Sequence, residues 1–129
     1  MTVLVDTQVW LWMLADPERL RAESRTLLES RDTEVLLSAA STWEIAIKWA
    51  IGKLGLPGKP EQVIGEMMSQ TRVTPLPILH SHTLRVATLP RHHRDPFDRL
   101  LVAQAQVTDV PLVTADPKIT LYDVEVIEA

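Results

Sequence analysis

Apolar positions along this chain switch repeatedly between the strand period and the helix period. Val3-Leu4-Val5 is a short β-branched-rich run that stops at Asp6, the pattern of a buried strand. Directly after it, Trp10, Met13 and Leu14 fall at i, i+3 and i+4, so residues 7–14 turn helical. Asp16-Pro17-Glu18 offers a cap, a proline for the first helical position and a first-turn acid, and predicts a helix to about Ser30. Glu34 to Ser38 reads as a second strand. Ser41-Thr42-Trp43-Glu44 opens a helix that Gly52 and Gly55 end, and Leu56-Pro57-Gly58 is a turn. Pro60 opens another helix, to about Gln70. Val73 to Ile78 is extended but broken by prolines, which points to an edge strand or an early end. His80 to Leu89 is a short helix. Asp95-Pro96 opens a helix to about Val107, and Leu112 to Thr114 and Val124 to Ile127 complete the strands.

Strands alternating with helices predict an α/β fold, a mainly parallel sheet of four to five strands with helices on both faces. No repeat, low-complexity tract or linker divides the chain, so residues 1–129 read as a single domain. In such sheets, sites form at the carboxyl ends of the strands. Asp6 follows the first strand and Asp116 the late strand at 112–114. Glu44 lies in the first turn of the helix after the second strand, and Asp98 in the first turn of the helix before that late strand. All four acids fall on one edge of the predicted sheet.

Composition narrows the chemistry. The chain is 46% hydrophobic and 23% charged, which suits a globular protein with a sizeable core. Its net charge of -4 gives no broad attraction to nucleic acid, so such binding would need a local basic patch or a bound metal. It has 0 cysteines, which removes disulfides, thiol nucleophiles and cysteine-ligated zinc. No P-loop, glycine-rich cradle or Ser-His-Asp arrangement is present. The N-terminus lacks a basic start and a cleavage site, and no run reaches the roughly 18 apolar residues of a membrane span. A cytoplasmic protein without membrane contact is therefore expected.

Each acid has a second explanation as a helix cap, a role that contributes about 1 kcal/mol. Ser41-x-x-Glu44 has the form of a capping box, and Asp95-Pro96-Phe97-Asp98 places Asp95 as the cap with Asp98 at the third helical position. Asp6 and Asp116 each precede a helix start. Asp6 is harder to explain by capping alone, because it ends an apolar strand and a buried carboxylate is costly unless paired or metal-bound. Three more acids on the same edge raise one another's pKa. A hard divalent cation such as Mg2+ relieves that repulsion, and helix N-termini favour the ionised acids as well.

Asp6 after the first strand, Glu44 in a serine-rich helix start, DPFDRLLVAQA at 95–105 and VTADP at 113–117 together resemble a PIN domain. More closely, they resemble the VapC-type toxins of toxin–antitoxin pairs. The resemblance runs from Val3 to Ile127. It implies a three-layer α/β/α sandwich and a four-acid site for Mg2+ or Mn2+ at Asp6, Glu44, Asp98 and Asp116. It also implies endoribonuclease activity on RNA, inhibition by a VapB-like antitoxin, and a homodimer. Thr114 matches a hydroxyl residue that helps hold the acids in that family. The role of Asp95, as cap or as part of the site, stays open.

Other residues carry two readings each. Arg91-His92-His93-Arg94 is a compact basic loop beside the acidic helix, suited either to phosphate contact or to plain solvation. His80, His82, His92 and His93 lack a regular four-ligand zinc spacing. Lys48 sits four residues after Glu44, which favours a helix ion pair over a phosphate contact. Trp10, Trp12, Trp43 and Trp49 suit core or partner packing better than base stacking, with some of that surface available to a dimer or an antitoxin helix. Three competing functions remain on sequence grounds. A non-catalytic RNA- or protein-binding module would be expected to lack some of the acids. A phosphoacceptor receiver would need an acid pair where Asp6 is followed by Thr7. A structure-specific DNA nuclease would use the same phosphodiester chemistry.

Overall fold

In β1 (Thr2–Val5), Val3 and Val5 point to one face of the sheet and Leu4 to the other, as a period of two requires. The same alternation continues in β2 (Glu34–Ser38), where Val35 and Leu37 join one core and Leu36 the other. Both faces of the sheet are thus apolar, which explains the continuous hydrophobic runs. The computed structural model describes residues 1–129. With β3 (Thr74–Leu76), β4 (Leu112–Thr114) and β5 (Val126–Glu128), the strands form one sheet in the order β3-β2-β1-β4-β5. Every neighbouring pair is parallel. β3 lies at an edge and carries Pro75, as the prolines implied.

Helices cover both faces, giving the three-layer α/β/α sandwich. α1 (Thr7–Ala15) and α2 (Ala22–Glu29) put Val9, Trp10 and Leu28 on the face of Val3 and Val5. α4 (Pro60–Thr71) adds Ile64, Met67 and Met68 there. On the opposite face α6 (Pro96–Thr108) is buried from Leu100 through Ala105, with α5 (His80–Arg85) against it. α3 (Ala39–Ala50) contributes Ala40 to one core and Ile45 to the other. No helix is long and apolar enough to cross a membrane.

Two helix starts differ from the sequence reading. The helix expected from Asp16 to Ser30 is a single 3-10 turn at Pro17–Arg19, then an extended step, then α2. The Asp16 side chain caps nothing, and Leu20 leaves the helical path with ψ 145° to reach the core. α3 starts at Ala39, because β2 runs into it without a loop and the Ser38 hydroxyl accepts the Ala40 N–H at 3.0 Å. Ser41-x-x-Glu44 is therefore not a capping box. Ser41 is inside the helix, where its hydroxyl accepts from the Thr7 hydroxyl at 2.9 Å, and Glu44 lies in the second turn. The helix from Asp95 begins as expected, with Asp95 as its cap and Pro96 first.

Candidate metal centre

The strand order reverses direction between β1 and β4, and the carboxyl ends of these two neighbours form the crevice where parallel α/β sheets hold ligands. Asp6 sits there, 7% exposed, between β1 and α1. One carboxylate oxygen accepts the Val9 N–H at 2.8 Å and so caps α1. The other accepts the Thr114 hydroxyl at 2.5 Å. The Thr114 oxygen in turn accepts the Asp116 N–H at 3.0 Å, so one buried hydroxyl links the acids that follow β1 and β4.

Helices deliver the other two acids. Asp98, at the third position of α6, lies at the helix N-terminus beside its cap Asp95, which accepts the Phe97 N–H at 2.8 Å and the Asp98 N–H at 3.4 Å. Glu44 is 6% exposed on α3, and one oxygen accepts from Lys48 Nζ at 2.7 Å. That contact is the helix pair the spacing suggested, and the bond to Glu44 raises the Lys48 pKa. α3 and α6 are themselves tied together. The buried Ser38 hydroxyl donates to the side-chain carbonyl of buried Gln104, whose amide reaches the Pro77 carbonyl at 3.3 Å.

The four acids act on one another electrostatically. Burial pushes Asp6 above the usual carboxylate range against its two hydrogen bonds, and Asp116 and Glu44 push it further. Burial, then the charge of Asp95, pushes Asp98 up to about 7, with Asp6 and Glu44 adding and His93 opposing. Asp116 differs. Partial burial raises it, but the Lys118 N–H and His93 outweigh that and hold it below its usual value. Asp116 also caps the 3-10 turn at Pro117–Leu121 through Lys118. Carboxylates crowded at this edge, two of them driven toward protonation by burial and by neighbouring acids, suit a hard divalent cation in charge and in donor type.

One residue read from sequence as part of the basic loop lies inside this cluster. His93 Nε2 is 2.7 Å from Asp116 and 3.1 Å from Asp98, and the three donor atoms lie within 4.8 Å of one another. A sequence signal existed: His93 is only two residues before the cap of α6, so its ring is tethered close to that helix start. Arg91, Arg94, His93 and Arg99 line an open groove of about 640 Å³ next to the acids. Within it, Arg99 is turned to the backbone and donates to the Pro90 carbonyl at 2.8 Å. His92 instead packs edge-on against Tyr122, with ring centroids 5.0 Å apart. His82 is buried away from the site, where Nδ1 accepts the Leu79 N–H at 3.0 Å. Trp10 is fully buried, whereas Trp43 is 55% exposed and meets Phe97 edge-on.

Fold and side chains together define an α/β protein with a carboxylate-lined crevice at its topological switch point. The chain belongs to the PIN domain family, whose profile matches residues 3–125. It is similar to Ribonuclease VapC16 from Mycobacterium tuberculosis, with 38% identity over 61 residues. That match covers 47% of this chain and 43% of the relative, so the chain matches less than half the length of that protein. Among solved structures, VapBC2 from Rickettsia felis, bound to a DNA fragment from its promoter, superposes with a TM-score of 0.73 at 13% identity, covering 98% of each chain. VapBC-1 from nontypeable Haemophilus influenzae gives 0.68 at 21% identity, covering 99% of this chain and 98% of the other. FitAcB from Neisseria gonorrhoeae gives 0.61 at 23%, covering 98% and 96%. At these identities the structural likeness speaks for the fold.

Proposed function

We propose that this chain is a Mg2+- or Mn2+-dependent endoribonuclease of the VapC type, held in check by a VapB-like antitoxin. The observation that carries the proposal is electrostatic crowding at the β1–β4 crevice: Asp116 and Glu44 add to the burial that raises Asp6, Asp6 and Glu44 add to the burial that raises Asp98, and Asp98 and Asp116 offer oxygens within 4.8 Å of each other. The relative named Ribonuclease VapC16 and the VapBC structures support the substrate class and the antitoxin.

Asp6, Asp98 and Asp116 would hold the cation. Its chemistry there is to lower the pKa of a water and to place positive charge beside the phosphodiester. Glu44 keeps one oxygen for Lys48 and has the other free for the cation or for orienting the attacking water. Thr114 fixes Asp6 and the backbone of Asp116 at once. Arg91 and Arg94, at the groove beside the acids, would take the phosphates that flank the scissile bond. The exposed apolar line Trp43, Ile47 and Ile51, which begins on α3, supports a protein partner, and we assign it to the antitoxin.

The test is cleavage of RNA, with DNA of the same sequence in parallel, in Mg2+ or Mn2+ and in EDTA. RNA should be cut only with the ion. Asp98→Asn should fold as the wild type and lose at least about 100-fold in rate, more than the loss typical for residues outside the ligand set. Full divalent-dependent cleavage by Asp98→Asn would sink the assignment, and preferential cleavage of DNA would reassign the substrate.

A further inference from the structure

His93 is held on both edges of its ring. On one edge, Nε2 reaches Asp116 at 2.7 Å and Asp98 at 3.1 Å. Such spacing fits either a nitrogen ligand for the cation or a hydrogen-bond donor to the acids. The opposite edge decides between them. Nδ1 accepts the backbone N–H of Asp95 at 3.0 Å. A ring nitrogen that accepts carries no hydrogen, so the network assigns the hydrogen of the neutral imidazole to Nε2. Nε2 then has an N–H to give the carboxylates and no lone pair to give a cation. Metal-ligating histidines have the reverse arrangement, donating from the far nitrogen to a carbonyl or carboxylate. Exchanging the tautomer here would set Nδ1–H against the Asp95 N–H, which the start of α6 fixes in place.

The loop that carries His93 is anchored as well. The His93 backbone N–H donates to the Tyr122 hydroxyl at 2.8 Å, and Tyr122 is buried. Arg99 donates to that hydroxyl at 3.3 Å and to the Pro90 carbonyl, tying the loop to α6. The Asp95 backbone N–H therefore sets the ring and the Tyr122 hydroxyl sets the loop that carries it, independently of the site carboxylates.

We propose that His93 is a positioning residue: its Nε2–H bridges Asp98 and Asp116 and sets their separation for the cation without ligating it. This rests on the metal-site reading above. It gives the cluster one donor shared by an acid from α6 and an acid that follows β4.

The experiment is calorimetric titration of the whole chain with Mg2+ alone and with Mn2+ alone, without RNA, for wild type, His93→Gln and His93→Ala. Glutamine places an amide N–H near the position of Nε2–H and offers no imidazole lone pair. His93→Gln should keep the wild-type affinity for both ions, while His93→Ala should lose about 10- to 100-fold. A loss in His93→Gln equal to that in His93→Ala would make the imidazole a ligand and overturn the proposal. Wild-type affinity in His93→Ala would overturn it too. A second readout needs no variant. Nitrogen-15 spectra of the wild-type ring should show the Nε2–H tautomer with and without Mg2+, and a change to Nδ1–H on adding Mg2+ would overturn the bridge. Wild-type protein that takes up neither ion overturns the metal-site reading itself, a result distinct from any pattern among the variants.

Discussion

Asp98 carries an electrostatic conflict that metal-free protein leaves unrelieved. Burial and Asp95 raise it to about 7 from an ordinary 3.8. Between those values the folded state binds more protons than the unfolded chain, so stability falls as pH rises. The contribution is complete below the unfolded value and is lost by the folded one. Asp6, also raised by burial, adds with the same sign. Asp116, held low, has the opposite sign, but its window lies below its ordinary 3.8 and offsets nothing near neutrality. In EDTA, the melting temperature should therefore drop between about pH 4 and pH 7. Asp98→Asn should flatten that slope, and so should saturating Mg2+, which selects the ionised acids. Thermal unfolding across pH checks this, and a slope unchanged by Asp98→Asn would contradict it. At this scale the sequence was partly legible. Asp6, Asp98 and Asp116 each close a local pattern, a strand end or a helix start. Glu44 was expected in the first turn of its helix and lies in the second. His93 was read as a loop charge, because its place depends on Tyr122, which lies far along the chain.

Helix α6 concentrates the question of whether Asp95 is a cap or part of the site. Its carboxylate accepts the Phe97 and Asp98 N–H groups, and its charge is the second cause of the raised Asp98 pKa. The two roles separate by substitution. Asparagine caps as well as aspartate, so Asp95→Asn should leave stability in urea close to wild type, whereas Asp95→Ala should cost about 1 kcal/mol. Both remove a negative charge next to Asp98, so the pH midpoint for Mg2+ binding should move down in both. Calorimetry over a pH series reads the shift, and an unmoved midpoint in Asp95→Asn would confine Asp95 to capping. Helix starts marked by proline at the first position, Pro60 and Pro96, were legible because a fixed φ and a missing N–H suit that position alone. The same signal at Pro17 yielded only a 3-10 turn, since burying Leu20 outweighed it. The start of α3 was hidden because no loop separates it from β2. The Ser38–Gln104 contact then ties the start of α3 to α6, a pairing of residues 66 apart that no local pattern shows.

For the molecule as a whole, the alternation of strands and helices was enough to give a parallel sheet with two covered faces. Strand order was not legible, because pairing β1 with β4 joins segments more than 100 residues apart, and no local pattern in either segment names the other. The site depends on that order, since it places Asp6 and Asp116 side by side. Charge is distributed just as unevenly. The chain carries a net -4, yet Arg91 and Arg94 face an open groove at the edge of the acid cluster. Binding of a single strand through such a groove is driven by counterion release, and each phosphate neutralised adds about -0.7 to the slope of log affinity against log salt. The measurement uses Asp98→Asn, so that the strand is not cut, with fluorescence anisotropy of a labelled RNA from low to moderate salt. Arg91→Ala and Arg94→Ala should each reduce the slope by about 0.7, and the double variant by about 1.4. Arg99 is excluded from this set, because its guanidinium is committed to the backbone of the loop and its loss would disturb the loop itself. If the double variant keeps both the wild-type affinity and its salt slope, the strand runs elsewhere on the surface and the groove is only a solvated rim.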